Sequence, residues 1–185
     1  MAFAAAHQYA TARELSVFVG TFNCGAVVPS SKDHVAEWLT AGEAHTADIY
    51  AIGLQEVVDL NARNNVAVSS KAFKEWTQKI STALGHDYVC LGHKHMVGLY
   101  LGLFVREEHS PHVIELAWDK VGVGVAGVGG NKGAVAARCR FYQSTYCFVN
   151  SHLAAHKENT DGRNSDWFQI SSKLRFEPDL DEEVV

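Results

Sequence analysis

The stretch from Val121 to His156 sets the tightest limit on what this chain can fold into. It holds two β-like runs, Gly133–Tyr142 and Thr145–Asn150, around a short turn at Gln143-Ser144. Runs this close in sequence pair most simply as a hairpin. A glycine-rich loop carrying Asn131 and Lys132 leads into the first run. Asn150, His152 and His156 stand where the second ends. Donors suited to anionic oxygens therefore gather around one β-unit, as expected of a site mounted on a scaffold.

The rest of the chain mixes strand and helix periods. Leu15–Asn23 reads as a strand, with Val17, Val19 and Thr21 on one face and Phe18, Gly20 and Phe22 on the other; apolar residues on both faces predict an interior strand. Asp33–Ala41 is a short amphipathic helix. Asp48–Leu54 is a near-continuous apolar run, hence a buried strand, and it delivers Gln55-Glu56 at its end. Ser70 is placed to cap a helix whose apolar face is Phe73, Trp76, Ile80 and Leu84, stopped by Gly85. Strands follow at Tyr88–His95, Leu99–Val105 and His112–Trp118, and a helix begins within Arg163–Leu174. Strands outnumber helices and no repeat is evident. The expected class is α/β (α+β), a sandwich with its sheets inside.

The chain has 185 residues, enough for one domain with a sizeable core. A formal charge of −5 without a basic stripe argues against a nucleic-acid grip, so no nucleic acid is expected as a partner. Cys24, Cys90, Cys139 and Cys147 form no Cys-x-x-Cys pair and read as buried reduced thiols. No apolar run is long enough for a transmembrane segment, and Met1–Ala6 lacks the basic lead of a signal peptide. A cytoplasmic chain is the expectation.

Several residues can carry chemistry. Glu56, held by a strand end, suits a hard cation that takes oxygen ligands, and Asn23 at the end of the first strand can add an amide oxygen. Position alone leaves open that Glu56 is a solvated acid and Asn23 a turn residue. Gly129-Gly130-Asn131-Lys132-Gly133 offers bare backbone and two side-chain donors, or a plain hairpin loop. Gly122-x-Gly124-x-x-Gly127 matches a dinucleotide pattern, but a strand pattern follows where a helix is required. His152 can donate to a phosphoryl oxygen or hold a carboxylate, and His156 follows one helical turn on. His93 and His95 share a strand face and read as structural. Arg163, Asn164 and Asp166 either brace the site or start the last helix.

Taken together and in order, four segments are far more specific: Phe18-Val-Gly-Thr-Phe-Asn-Cys-Gly25, Ala51-Ile-Gly-Leu-Gln-Glu-Val57, Gly130-Asn-Lys-Gly-Ala-Val135 and Phe148-Val-Asn-Ser-His-Leu-Ala-Ala-His156. They resemble the inositol polyphosphate 5-phosphatases of the deoxyribonuclease-I-like endonuclease/exonuclease/phosphatase superfamily. The resemblance implies a four-layered sandwich and Mg2+-dependent hydrolysis of the 5-phosphate of phosphoinositides or soluble inositol phosphates, with a peripheral membrane surface within reach. It makes Glu56 the principal Mg2+ ligand with Asn23 beside it, His152 the histidine at the scissile phosphate, and Asn131 and Lys132 the loop residues near the substrate, with His156 close by. Where the family often has Asn-Val-Asn-Gly, Asn23 is followed here by Cys24-Gly25, so a second amide is absent.

The family's Gly-Asp-Leu-Asn-Tyr-Arg, Pro-x-Trp-Cys-Asp-Arg and Ser-Asp-His segments do not occur in this sequence. By the resemblance these supply the water-activating side of the site and the later strands. The expected organisation is therefore a lead-in over 1–13, the N-terminal part of the catalytic domain over 14–176 in a partial sandwich with its later strands missing, and an acidic tail over 177–185. Two other readings stay open. One is an inactive fragment that binds a partner or an anionic headgroup, and the other is a related phosphodiesterase or nuclease.

Overall fold

The computed structural model describes residues 13–27, 29–30, 34–40, 47–58, 66–123 and 132–177. Among these residues seven strands lie in two sheets. The first sheet has the order β1-β2-β4-β3 and the second β5-β6-β7. Their ranges are β1 Val17–Asn23, β2 Ile49–Gln55, β3 Tyr88–Met96, β4 Leu99–Arg106, β5 Val113–Val123, β6 Lys132–Phe141 and β7 Ser144–His152. β1 and β2 run parallel, and every other pairing is antiparallel. Three α-helices, α1 (Val35–Thr40), α2 (Val66–Leu84) and α3 (Thr160–Lys173), and a 3-10 helix at Glu107–His112 complete the described fold.

The layers follow from side-chain alternation. β2 is buried on both faces. Tyr50, Ile52 and Leu54 on one face meet Phe73, Trp76 and Ile80 of α2 and Leu39 of α1. Ile49 and Ala51 on the other face meet Leu101, Leu103 and Val105 of β4 and Val135, Ala137 and Phe148 of the second sheet. Each large side chain so buried contributes about 1.5–3 kcal/mol. On the far side of the second sheet Ile170 of α3 packs on Val121, Val123 and Ala134. The order helix, sheet, sheet, helix is the four-layered sandwich.

The structure corrects several expectations. β1 is an edge strand, not an interior one: among the described residues it pairs with β2 alone, and Val17, Val19 and Phe22 are exposed. Ser70 lies inside α2, whose first residue is Val66, and so does not cap it. β5 continues to Val123, because alternating burial at Val121 and Val123 extends the ladder into the glycine-rich segment. The hairpin turn falls at Tyr142-Gln143, with Tyr142 in left-handed backbone, and Lys132 is the first residue of β6. Cys24 and Cys139 are buried, but Cys147 is exposed on β7. Leu99, Leu101 and Leu103 form core strand, as their unbroken apolar pattern predicts. No helix among the described residues is long and apolar enough to cross a membrane.

Candidate active site

Two parallel strands bring their C-terminal ends together, and the second sheet meets them there. The register pairs Asn23 with Gln55, so Asn23 and Glu56 emerge side by side. The Cys24 amide donates to the Gln55 carbonyl at 2.8 Å and the Ala26 amide to the Glu56 carbonyl at 2.7 Å, which locks the two chain exits together. Glu56 sits at φ 51°, in the left-handed region that costs a non-glycine residue about 1–2 kcal/mol. Those hydrogen bonds, with Val57 donating to the Gly98 carbonyl at 3.0 Å, hold it there. The effect is to turn the Glu56 carboxylate out of the sheet.

β6 and β7 supply the other side. Register places Gly133 opposite His152, which brings Lys132 to the end of β7. Lys132 Nζ lies 2.6 Å from His152 Nε2, and the same nitrogen lies 3.6 Å from Glu56 Oε1. A carboxylate, an ammonium and an imidazole from three strands thus converge on one spot. Burial pulls the Lys132 ammonium below its ordinary pKa, against the pull of Glu56 and Asp166 in the opposite direction. Gly133 makes the approach possible. Its φ is 148°, and a Cβ would collide with the Val121 carbonyl oxygen and lie 2.7 Å from Met96 Cε.

A buried clamp stands directly behind these groups. Gln55 Nε2 donates to Asn150 Oδ1 at 2.5 Å and to Thr21 Oγ1 at 3.0 Å. Asn150 Nδ2 donates to the carbonyls of Leu54 at 2.9 Å and Tyr100 at 2.8 Å. Asn150 reaches across the intersheet space because Gly53 leaves room; a Cβ on Gly53 would lie 2.7 Å from Asn150 Cγ. The sequence places Asn150 among donors for anions. In the structure it is 5% exposed and its amide is spent on backbone, so it aligns the site instead of touching a ligand.

The remaining candidates fall as follows. Asn23 Oδ1 accepts from the Gly25 amide at 2.9 Å, an Asx turn that aims the side chain and leaves a second lone pair. Asn131 lies outside the described residues. His156 is not one helical turn beyond His152; it is exposed, at φ 74° in the loop before α3. Its carbonyl accepts from Arg163 Nη1 at 2.6 Å, and Arg163 Nη2 reaches the Lys157 carbonyl at 2.9 Å. Asp166 Oδ2 accepts from the Ala154 amide at 2.7 Å. Arg163 and Asp166 do not start α3, which begins at Thr160 behind an Asn159 cap; from inside the helix they brace the loop that leaves β7. His93 stacks on Tyr100 and His95 on Phe73, and burial lowers both imidazole pKa values.

The donor set fits a hard divalent cation. Glu56 offers a carboxylate and Asn23 an amide oxygen. Burial, with the neighbouring Glu56 charge, pushes the Cys24 thiol up to about 12, so it stays protonated and adds no soft ligand. No group of three or more His, Cys, Asp or Glu able to hold a metal occurs among the described residues, so other positions around a cation would fall to water and ligand oxygens.

Fold and site together define a two-sheet α/β sandwich that brings a carboxylate, an ammonium and an imidazole to one corner. The sequence model of the Endonuclease/Exonuclease/phosphatase family 2 matches residues 20–184, and the chain belongs to that family. Human Synaptojanin-1 is 34% identical over 189 residues, covering 92% of this chain and 12% of that protein. The mouse Type II inositol 1,4,5-trisphosphate 5-phosphatase is 35% identical over 175 residues, covering 94% of this chain and 17% of the relative. Among solved structures, the inositol polyphosphate 5-phosphatase domain of SPsynaptojanin, in complex with inositol (1,4)-bisphosphate and calcium ion, superposes with a TM-score of 0.74 at 30% identity. That match covers 88% of this chain and 47% of the solved one, so the chain spans about half of the domain it resembles.

Proposed function

We propose that the chain forms the metal- and phosphate-holding side of a Mg2+-dependent inositol polyphosphate 5-phosphatase site. The observation that carries this is the convergence of Glu56, Lys132 and His152 from β2, β6 and β7. Glu56 and Asn23 would hold the cation, which when bound supplies charge neutralisation at a phosphoryl oxygen. Lys132 presents a partly desolvated ammonium, whose attraction for a phosphate oxygen is stronger than in open water. Lys132 Nζ lies 2.6 Å from His152 Nε2, a contact in which an ammonium can only donate. An incoming phosphate oxygen replaces Nε2 as the ammonium's partner, and His152 then turns its ring toward the phosphate or Glu56. Asn131, next to Lys132 in sequence, and His156 would be further contacts for the substrate's phosphates. The substrate class is an inositol polyphosphate, free or as a lipid headgroup. The lipid form places the protein in the cytoplasm with a peripheral membrane contact.

The test is equilibrium binding of a 5-phosphorylated inositol phosphate with Mg2+ and with EDTA. Binding at least ten-fold tighter with Mg2+, lost in Glu56→Ala and weakened in Lys132→Ala, is the expected result. Metal-independent binding that survives Glu56→Ala overturns the assignment. Phosphate release measured in parallel separates turnover from binding alone.

A further inference from the structure

A cavity of about 530 Å3 lies on the helix-covered face of the first sheet, where the chain leaving β1 passes α1 and α2. Phe22 and Cys24 line it from the end of β1, Val35 and Trp38 from α1, and Trp76 from α2. The Phe22 and Trp38 rings pack with their centroids 5.9 Å apart. Concave, mostly apolar walls and a volume of this order are the usual make-up of a small-molecule site. Charge plays no part in it. Among the described residues that line the cavity, His34 alone can become positive, and its Nδ1 already lies 2.7 Å from Glu37 Oε1. The Cys24 thiol stays protonated, since burial pushes its pKa up to about 12.

One polar group on these walls is unmet. Trp76 is 5% exposed and belongs to the core cluster with Phe73, Ile80 and Leu39, yet its Nε1 has no hydrogen-bond partner. Arg140 Nε is the other such atom among the described residues, and that guanidinium is already held by Glu115 at 2.9 Å. An indole N–H can only donate, and a buried donor left unmet bears its full desolvation cost. A position that asked only for aromatic bulk would carry no such cost with phenylalanine. The core gives Trp76 no acceptor, so one must arrive by way of the cavity that its ring borders. The outer walls allow this: Phe22 is 50% and Val27 63% exposed, so both can give way as a molecule enters.

We infer that this cavity binds a flat, uncharged aromatic molecule that carries one hydrogen-bond acceptor at its edge and delivers it to Trp76 Nε1. Each part of that description has its own cause. The Phe22, Trp38 and Trp76 rings favour an aromatic occupant. The spent charge of His34 leaves nothing to hold an ion. The unmet donor asks for an acceptor, and a site with such a donor rejects a molecule of the same shape that lacks one. The cavity backs on the candidate cation corner, because Cys24 on its wall follows Asn23 and donates its amide to the Gln55 carbonyl at 2.8 Å. The inference is independent of the phosphatase reading and stands or falls on binding alone.

The experiment titrates this chain, labelled with 15N at its tryptophans, with quinoline and with naphthalene at equal concentrations. The two probes share a shape, and only quinoline has an acceptor nitrogen. Quinoline should move the Trp76 Nε1–H resonance downfield and saturate, and should bind about ten-fold tighter than naphthalene, the effect of one hydrogen bond. Trp76→Phe identifies the resonance by its loss and should abolish the preference for quinoline while keeping naphthalene binding. Val27→Trp, at an exposed position on the cavity wall, should block both probes and leave the fold unchanged by circular dichroism. The wild-type comparison and Val27→Trp decide the matter even where Trp76→Phe does not fold. Equal affinity for the two probes, no saturable shift at Trp76, or binding that survives Val27→Trp overturns the inference.

Discussion

Replacing Asn150 by aspartate tests the intersheet clamp with almost no change of shape. Asn150 donates to the Leu54 and Tyr100 carbonyls at 2.9 and 2.8 Å. Aspartate turns both contacts into oxygen facing oxygen. Two lost hydrogen bonds are worth about 1 kcal/mol each, and each carbonyl left unpaired adds a comparable penalty. A carboxylate at a position only 5% exposed also meets the desolvation cost of a buried charge. The sum is about 4–5 kcal/mol at pH 7, much of the stability of an ordinary domain. Burial raises the folded-state pKa of the new carboxyl above its unfolded value of about 3.9. The folded state then binds more protons than the unfolded one, so the variant loses stability as pH rises through that window and recovers it on acidification. Urea unfolding of wild type, Asn150→Asp and Asn150→Leu at pH 5, 6, 7 and 8 reads this directly. The leucine variant should sit about 2–3 kcal/mol below wild type with no added pH dependence. The aspartate gap should grow from pH 5 to 7 by about 1.4 kcal/mol per unit while the group titrates. A variant within 1 kcal/mol of wild type at pH 7, or a gap that ignores pH, refutes the clamp.

Two further outcomes follow from the hydrogen bonds of the fold. At the far end of the sandwich Asp48 accepts from the Ser16 amide at 2.8 Å and hydroxyl at 2.9 Å, and its other oxygen lies 3.3 Å from His109 Nε2. Burial works to raise its pKa, but the Ser16 hydrogen bonds and His109 hold it below the ordinary value. A carboxyl depressed in the folded state stabilises above its unfolded pKa, and that contribution fades as pH falls through the folded one. Asp48→Asn should therefore cost about 1–2 kcal/mol at pH 7 and progressively less below about pH 4, read from thermal melts across pH. Arg163→Ala frees the His156 and Lys157 carbonyls; limited proteolysis should cut faster between Leu153 and Asn159, with a stability loss of about 1 kcal/mol.

The strands and the layer order were legible because burial here obeys simple periods. Asp48–Leu54 announces a doubly buried strand, and the Phe73, Trp76, Ile80 spacing announces a helix facing it. What misled was the strand that looks interior and is not. Val17, Val19 and Phe22 make β1 apolar on both faces, yet all three are exposed, because apolarity reports side-chain character and not whether a strand has a neighbour. Helix starts were also hidden: Ser70 carries a capping side chain, but Val66 already lies in the helix. In the site, Glu56 was visible because it follows a buried apolar strand, and Lys132 because it stands in a glycine-rich segment that leads into one. Their meeting with His152 depends on the pairing of Gly133 with His152 and on a second sheet crossing the first, neither of which a linear pattern contains.

Asn150 shows why the same residue types misdirect when read singly. Asparagine two residues before a site histidine has the chemistry of an anion donor. What decides its role is the missing side chain at Gly53, ninety-seven positions earlier, which opens the space the amide fills. The clamp then does something an apolar contact would not. Side chains alternate along a strand, so a one-residue slip of β7 would point His152 away from Glu56 while still burying apolar surface. Hydrophobic packing between the sheets tolerates sliding, whereas an amide that must meet two carbonyls and the Gln55 amide does not. Since Gln55 adjoins Glu56 and Asn150 lies two residues before His152, one buried hydrogen-bond set fixes both sides of the site. Apolar contact alone would hold the two sheets together but leave their register free; a site needs the register.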